Sequence, residues 1–179
     1  MMTKKLLLIS FVFAFAFVIL SISILQSTSI SYSFTASVPE SSVLGAESSE
    51  INYQFPYQGR VLPDNPLWVL KAARDRVWFL ITSSHARRAE LALLFSDKRL
   101  VASKRLLEKK KSDIAISTLT KGEKYLEIAV AEDALARSQG FDTSAFLFKL
   151  ASASLKHIEV LESLLPLVPE DAEPFVTKM

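Results

Sequence analysis

Few residues in this sequence have the types and spacing that catalysis or metal binding requires. The chain has no cysteine, which excludes disulfides, thiolate nucleophiles and zinc–thiolate sites. Its two histidines, His85 and His157, belong neither to an HExxH pair nor to the Glu-x-x-His pattern of di-iron proteins. The four glycines form no phosphate-binding loop and no Gly-x-Ser-x-Gly turn. We therefore predict no catalytic residue, no metal site and no cofactor, and we expect that the protein is not an enzyme.

His157 lies on the apolar side of a helical pattern. It shares helical spacing with Leu150, Ala153, Leu161 and Leu164. We interpret it as a partly buried histidine that donates a hydrogen bond to a neighbouring helix. The alternative interpretation is a pH switch, because histidine titrates near neutral pH.

Basic residues are unevenly distributed and provide the one positive signal for a binding surface. Nine basic and three acidic residues lie between Arg87 and Lys111, whereas residues 113–173 contain five basic and eleven acidic residues. One interpretation is mutual neutralisation across a helical bundle. The other is a basic helix face that contacts anionic lipid or a phosphate-bearing wall polymer. The candidate contacts to such a surface are Lys104, Arg105, Lys109, Lys110 and Lys111.

The N-terminal sequence predicts an export or anchor element at residues 1–25. Lys4 and Lys5 precede an uncharged apolar run of 20 residues, Leu6–Leu25, which is long enough to cross a bilayer as a helix. The two lysines favour a cytoplasmic N-terminus, which puts the rest of the chain outside. We predict a single-pass protein of the cell membrane with its C-terminal domain outside the cytoplasm. A cleaved signal peptide and a secreted protein remain the alternative.

Residues 26–60 are predicted to form a flexible linker. Nine serines lie between Ser27 and Ser49, and the segment has too little apolar surface to fold. Near its end Tyr53, Phe55 and Tyr57 alternate with other residues, which favours an extended strip that lays aromatic rings on the domain.

The motif LPDNP predicts where the first helix of the domain begins. Asn65 suits the N-cap, and Pro66 suits the first helical position, where its missing N–H costs nothing. The apolar residues that follow recur at helical spacing, so we expect this short helix to be mostly covered. They are Leu67, Leu70, Val77, Leu80 and Ile81, and Trp68, Ala72 and Phe79 widen this face.

Three longer helical patterns follow, and each has start or stop signals. Ser83 and Ser84 can cap the second helix, Ser112 the third, and Asp142 or Thr143 the fourth, while Gly140 can end the third. The second helix repeats apolar residues every seven positions, with small residues between them, which favours close, coiled-coil-like antiparallel packing. These are Ala86, Leu93, Leu100 and Leu107, with Ala89, Ser96 and Ser103. The third helix carries Ala115, Leu119, Leu126 and Ala129 on one face.

Together these patterns predict an all-α fold. The expected architecture is an antiparallel bundle of three long helices plus a shorter leading helix, over residues 61–165. Pro166 and Pro169 interrupt the last helix, so residues 166–179 are predicted to be a disordered tail.

Several of these motifs resemble an uncharacterised helical family. The run YQGRVLPDNPLWVLK, Tyr57–Lys71, followed by AELAL at 89–93 and KRL at 98–100, is similar to the family called domain of unknown function 5667. The resemblance covers about residues 53 to 135. It implies an exported helical module and no activity that could be transferred to this chain.

The function predicted from the sequence is a membrane-tethered, extracytoplasmic interaction or structural module. Its expected contacts are the membrane, through the N-terminal helix, and a protein partner or an anionic surface, but no nucleic acid. The competing hypothesis is a secreted protein that binds an apolar or metal ligand in an interhelical groove among Trp68, Trp78, Phe95 and Phe146. The sequence gives no oligomeric state.

Overall fold

The computed structural model describes residues 51–178, and every regular element in this range is a helix. Four helices form the domain, and two short ones follow them. They are α1 (Trp68–Ile81), α2 (His85–Glu108), α3 (Ser112–Ser138) and α4 (Ser144–Leu164), then a 3-10 helix (Leu165–Leu167) and α5 (Glu173–Val176). The all-α prediction is confirmed for these residues. The predicted anchor at 1–25 and residues 26–50 of the predicted linker lie outside the described residues.

Helices α2 and α3 form an antiparallel hairpin around a turn at Lys109–Lys111. The amide of Lys111 donates to the carbonyl of Leu106, and the amide of Lys110 donates to that of Leu107. This pattern is a Schellman motif, which needs a left-handed residue just past the helix end. Lys110 supplies it with a φ of 58°, at a position that glycine usually occupies.

The α2–α3 contact is close because small residues line it, as the sequence predicts. Ala89, Ser96 and Ser103 are fully buried. Gly122 of α3 lies against this seam, and a Cβ added there would be 3.2 Å from the Cβ of Arg99 and 3.5 Å from the carbonyl oxygen of Ser96. The glycine therefore lets the two backbones approach each other.

Helix α4 returns antiparallel to α3 after a second turn. Gly140, with a φ of 86°, forms another Schellman motif, in which the amide of Phe141 donates to the carbonyl of Ala136. Asp142 accepts hydrogen bonds from the backbone amide and hydroxyl of Ser144 and so starts α4. The predicted core face is confirmed: Leu150, Ala153 and Leu164 are buried, while Phe146 and Leu161 pack against the core.

Helix α1 begins two residues later than the sequence predicts. The side chain of Asn65 accepts the amide of Leu67 at 2.9 Å, and its carbonyl accepts the amide of Trp68 at 2.9 Å. Asn65 therefore makes a turn that precedes the helix. Pro66 lies within this turn.

The prediction that the apolar face of α1 is mostly covered is wrong for its five aliphatic residues, which are all exposed. Trp68, Ala72 and Phe79, which are expected to widen that face, are partly buried, and the one buried residue of the helix is Asp75. The opposite face packs on the bundle through its aromatic rings, with Trp78 near Phe95 and Phe79 near Tyr125. These ring contacts hold α1 against the bundle.

Both ends of the described chain pack more closely on the bundle than the sequence predicts. Tyr53 and Phe55 lie against the bundle as expected, whereas Tyr57 is exposed and Gln58 is buried. We call residues 51–67 the leading segment. At the other end, the predicted disordered tail contains the short helix α5, whose Val176 is buried beside Leu100 and Leu119.

Candidate functional site

A chain of hydrogen-bonded polar side chains crosses the interior of the bundle. The hydroxyl of Tyr53 donates to Oδ2 of Asp97 at 2.6 Å. The other oxygen of Asp97 lies 3.0 Å from Nε2 of His157, and Nδ1 of His157 lies 3.3 Å from Glu123. We call these four residues the buried network. It joins the leading segment, α2, α3 and α4.

The imidazole of the buried network carries a positive charge at neutral pH. His157 is 1% exposed and Asp97 is 2% exposed. Burial alone lowers the pKa of His157, but the hydrogen bonds and charges of Asp97 and Glu123 outweigh it and raise the pKa to about 9. Both ring nitrogens are then protonated, and each donates to a carboxylate. The prediction of a buried histidine that donates to a neighbouring helix is confirmed.

The buried network contains a histidine and carboxylates, as a general base would, but a substrate cannot reach the histidine. A catalytic base must reach a substrate proton directly or through one water, and the ring of His157 is covered. Its phenyl neighbour Phe55 lies 5.7 Å away, ring centre to ring centre, and belongs to the leading segment. The geometry is therefore suited to holding the leading segment on the bundle rather than to proton transfer.

The other histidine belongs to a second ion cluster, at the end of the α2–α3 hairpin away from its turn. Nδ1 of His85 lies 2.6 Å from Glu132, whose second oxygen is 2.9 Å from Arg88. The guanidinium of Arg88 also lies 4.7 Å from the centre of the Phe79 ring. This cluster pins the end of α1 to α2 and α3.

The five basic residues predicted to contact an anionic surface are all exposed, and three of them are held by the leading segment. Lys111 and Lys109 lie 2.8 Å and 3.5 Å from Asp64, and Arg105 donates to the side chain of Gln58 at 3.3 Å. The pKa of Asp64 is lowered, chiefly by its hydrogen bond from Lys111. Lys104 points away from these contacts on exposed α2 surface, and Lys110 is the left-handed turn residue.

Lys71 is a further residue of interest that the sequence did not reveal. Its Nζ donates to the carbonyls of Gln58 and Val61, at 2.7 Å and 3.4 Å, and lies 4.7 Å from the centre of the Trp68 ring. Burial lowers its pKa to about 8, against the opposing charge of Asp75. The amine closes the leading segment onto α1.

The sequence signal for the buried network is a polar residue on the apolar face of a helix. The three helical residues of the network, Asp97, Glu123 and His157, each lie four positions after a buried residue. This spacing puts both residues of a pair on one helix face. The pairs are Leu93 with Asp97, Leu119 with Glu123, and Ala153 with His157. The histidine was identified on this basis, whereas the two carboxylates were not.

Two shallow clefts are present in the described part of the chain. One, of about 220 Å³, is lined by Glu123, Leu126, Glu127, Val130 and Ser154. The other, of about 420 Å³, is lined by residues 51–54 and Lys156. Neither contains the aromatic residues that the ligand-binding hypothesis requires.

The described helices carry neither a metal-binding cluster nor a membrane span. Between 51 and 178, no group of three or more histidine, aspartate or glutamate side chains is placed to hold a metal ion. No helix in that range combines the length and the apolar character needed to cross a membrane. The predicted anchor, Leu6–Leu25, lies outside it.

Comparison with known proteins gives a family match over most of the helical domain. The family model described as Domain of unknown function (DUF5667) matches residues 60–171. The match begins inside the Tyr57–Lys71 motif and continues through α4, beyond the predicted limit near residue 135. No curated protein and no solved structure gives a significant match.

Proposed function

Since the chain belongs to the DUF5667 family, a domain of unknown function, we propose a function from its own residues. The proposal is an extracytoplasmic interaction and structural module that residues 1–25 tether to the cell membrane. The apolar run Leu6–Leu25 and the two lysines before it support this topology. The module is not an enzyme.

The observation that carries the interaction role is the outward aliphatic side of α1. Leu70 and Leu80 are 69% and 71% exposed, and Ile81 is 62% exposed. Covering such residues is favourable, at about 25 cal/mol per Å² of apolar surface removed from water. A contiguous exposed apolar patch on a folded domain marks a surface that meets another molecule or a membrane.

The leading segment supports the structural part of the role. It is fixed to the bundle at Tyr53 by Asp97, at Gln58 by Arg105 and Lys71, and at Asp64 by Lys111. The last residues before α1 are therefore held in one position. A tether that enters through this segment therefore pulls on the bundle at a fixed point.

Ligand binding in an interhelical groove is less well supported by the packing. The ring centres of Trp78 and Phe95 are 6.2 Å apart, and those of Phe95 and Tyr125 are 5.5 Å apart. These edge-to-face contacts fill the space where an apolar ligand would bind. The basic residues near the α2–α3 turn are also weaker candidates, because Asp64 neutralises part of their charge.

Membrane fractionation and N-terminal sequencing of the protein from intact cells test the tether. We expect an uncleaved N-terminus and retention in the pellet after an alkaline wash that removes peripheral proteins. A mature N-terminus near Ser37 or Ala46 would contradict the tether and favour the secreted alternative.

Position-specific photo-crosslinking in intact cells tests the interaction role. A photoreactive residue at Leu80 should give a crosslinked product, whereas one at Lys124, on the exposed side of α3, should not. Equal labelling at both positions would mean that α1 has no special contact. This outcome is independent of whether the N-terminus is cleaved.

A further inference from the structure

The exposed residues of α1 form one continuous aliphatic stripe. They recur at spacings of three and four, so they lie on one side of the helix along its whole length. They are Val69, Leu70, Ala73, Val77, Leu80 and Ile81. A helix of 14 residues is about 21 Å long, so the stripe is long enough to be a contact surface of its own.

The stripe cannot turn inward, because the other side of α1 is committed to the bundle. Trp78 and Phe79 pack on Phe95 and Tyr125, and Asp75 is buried with its ion pair to Arg74 at 2.7 Å. Rolling the helix would expose both rings and break the contacts of Lys71 with the leading segment. The stripe therefore faces outward in the folded domain.

The charges beside the stripe are positive. The only acidic residue of α1 is Asp75, which is buried, whereas Arg76 is exposed at one edge of the stripe. An outward face made of aliphatic residues with an arginine at its margin matches the apolar and anionic parts of a lipid interface.

We infer that α1 is an interfacial helix: its aliphatic stripe lies in the surface of the same membrane to which the chain is tethered, with Arg76 at the level of the lipid phosphates. This inference rests on the proposed tether. The 25 residues between Leu25 and Ile51 would span roughly 25 to 30 Å as the flexible linker that the sequence predicts. A linker of this span keeps the domain close enough to the bilayer for α1 to touch it.

A second copy of the chain fits the stripe less well. In a symmetric pair the same patch faces itself, and an antiparallel pairing centred on the stripe brings the two Arg76 side chains together. No exposed carboxylate on α1 is available to compensate them. A lipid surface that contains phosphate groups has no such conflict.

The absence of cysteine from the sequence allows a direct test with single-cysteine variants of the full-length chain. Leu70→Cys and Leu80→Cys, each carrying an environment-sensitive fluorophore, are reconstituted in vesicles of phosphatidylcholine and phosphatidylglycerol. Lys121→Cys and Lys124→Cys on the exposed side of α3 are the matched controls. We expect blue-shifted emission and quenching by spin-labelled lipid at the two α1 positions, and quenching by aqueous iodide at the controls.

Each other outcome identifies what has failed. Vesicle-bound protein whose α1 probes are quenched by iodide like the controls would overturn the inference while leaving the tether intact. Probes shielded from both quenchers would also overturn it and indicate a protein contact, and dimer crosslinking through Leu80→Cys would identify a second copy. Failure of the full-length chain to sediment with vesicles would contradict the tether itself.

A polar variant provides a second readout that does not depend on labels. Leu70→Ser combined with Leu80→Ser should abolish lipid quenching of a probe at Val77→Cys while the protein stays bound to vesicles through its N-terminal segment. The matched control exchanges Lys121 and Lys124 for serine and should leave the quenching unchanged. Unchanged quenching in the α1 variant would contradict the inference.

Discussion

His157 on α4 lies 3.0 Å from Asp97 on α2, and both side chains are almost completely buried. An ion pair in this environment is strongly destabilised when one partner is removed, because the other charge is left without compensation. The same Asp97 accepts the hydroxyl of Tyr53, so the pair also fixes the leading segment. The stability of the bundle and the position of its N-terminal segment are therefore linked through one carboxylate.

The first prediction concerns the pH dependence of stability. The pKa of His157 is raised from 6.5 to about 9, so the folded state holds the proton more tightly than the unfolded state. The stabilisation is fully present below pH 6.5 and is lost as the pH rises through about 9. The free energy of unfolding from urea titrations should fall over this window by on the order of 3 kcal/mol.

The control for this prediction is His157→Gln, which should be less stable than the wild type at pH 6.5 but should show a flatter pH profile. Lys71 has the opposite effect on stability at higher pH. Burial lowers its pKa to about 8, so its contribution to the free energy of unfolding rises as the pH increases from about 8 towards 10.5. The range from pH 6.5 to 8 therefore isolates the histidine. Parallel profiles for the two proteins would contradict the assignment.

The second prediction concerns the hydroxyl of Tyr53. Tyr53→Phe removes the hydrogen bond to Asp97 and keeps the ring, so the free energy of unfolding should fall by about 1 to 2 kcal/mol. Backbone amides of residues 51–60 should also exchange faster with deuterium. Tyr57→Phe is the matched control, because Tyr57 is 72% exposed, and it should change neither measurement.

The third prediction concerns the left-handed residue of the α2–α3 turn. Lys110 has a φ of 58°, which glycine adopts without steric cost, so Lys110→Gly should stabilise the protein by about 1 kcal/mol. Lys104→Gly, in the interior of α2, should destabilise it by about the same amount. Opposite shifts in thermal melts are expected, and a loss of stability in both variants would show that the turn conformation costs nothing.

The fourth prediction tests the orientation of α1. Leu80→Ser should stay within about 0.5 kcal/mol of the wild type, because the side chain is already in water. Phe79→Ser should cost about 2 to 3 kcal/mol, since the ring packs on Tyr125 and on the guanidinium of Arg88. Chemical denaturation of both variants measures this contrast. The reverse order would mean that the aliphatic stripe is the packed face.

The fifth prediction concerns the close approach of α2 and α3. Gly122→Val should lower the free energy of unfolding by about 1 to 3 kcal/mol, because its branched side chain would collide with Arg99 and the backbone of Ser96. Ala131→Val, on the exposed side of the same helix, is the matched control and should cost only the difference in helix propensity, about 0.5 kcal/mol. A neutral effect of both would place the helices farther apart.

The buried side of a helix could be predicted where only one of its sides is apolar. It could not be predicted where both sides are apolar. The repeat of Leu93, Leu100 and Leu107 identified the buried side of α2 because its opposite side is polar. Helix α1 has apolar residues on both sides, so periodicity alone could not decide between the ring of Phe79 and the side chain of Leu80.

For the buried network, the sequence predicted the burial of one member but not its polar partners. His157 stood out because histidine is rare in this chain, and its apolar neighbours predicted burial. Its partners lie 60 and 34 positions away in sequence, on two other helices. Their pairing depends on the relative shift of the helices, which is set by packing details such as Gly122 and by both turns. The basic residues were found as a group, but their partner Asp64 was not expected.

The way in which the leading segment is attached determines how the domain bears mechanical load. A pull on the chain upstream of Ile51 acts first on the hydrogen bond between Tyr53 and Asp97, then on the contact of Phe55 with His157, and later on the ion pairs of Asp64. The force reaches α2 and α4 in the middle of the bundle before it reaches α1. Rupture should therefore proceed stepwise from the N-terminal side, with the hydrogen bond between Tyr53 and Asp97 as the first resisting element.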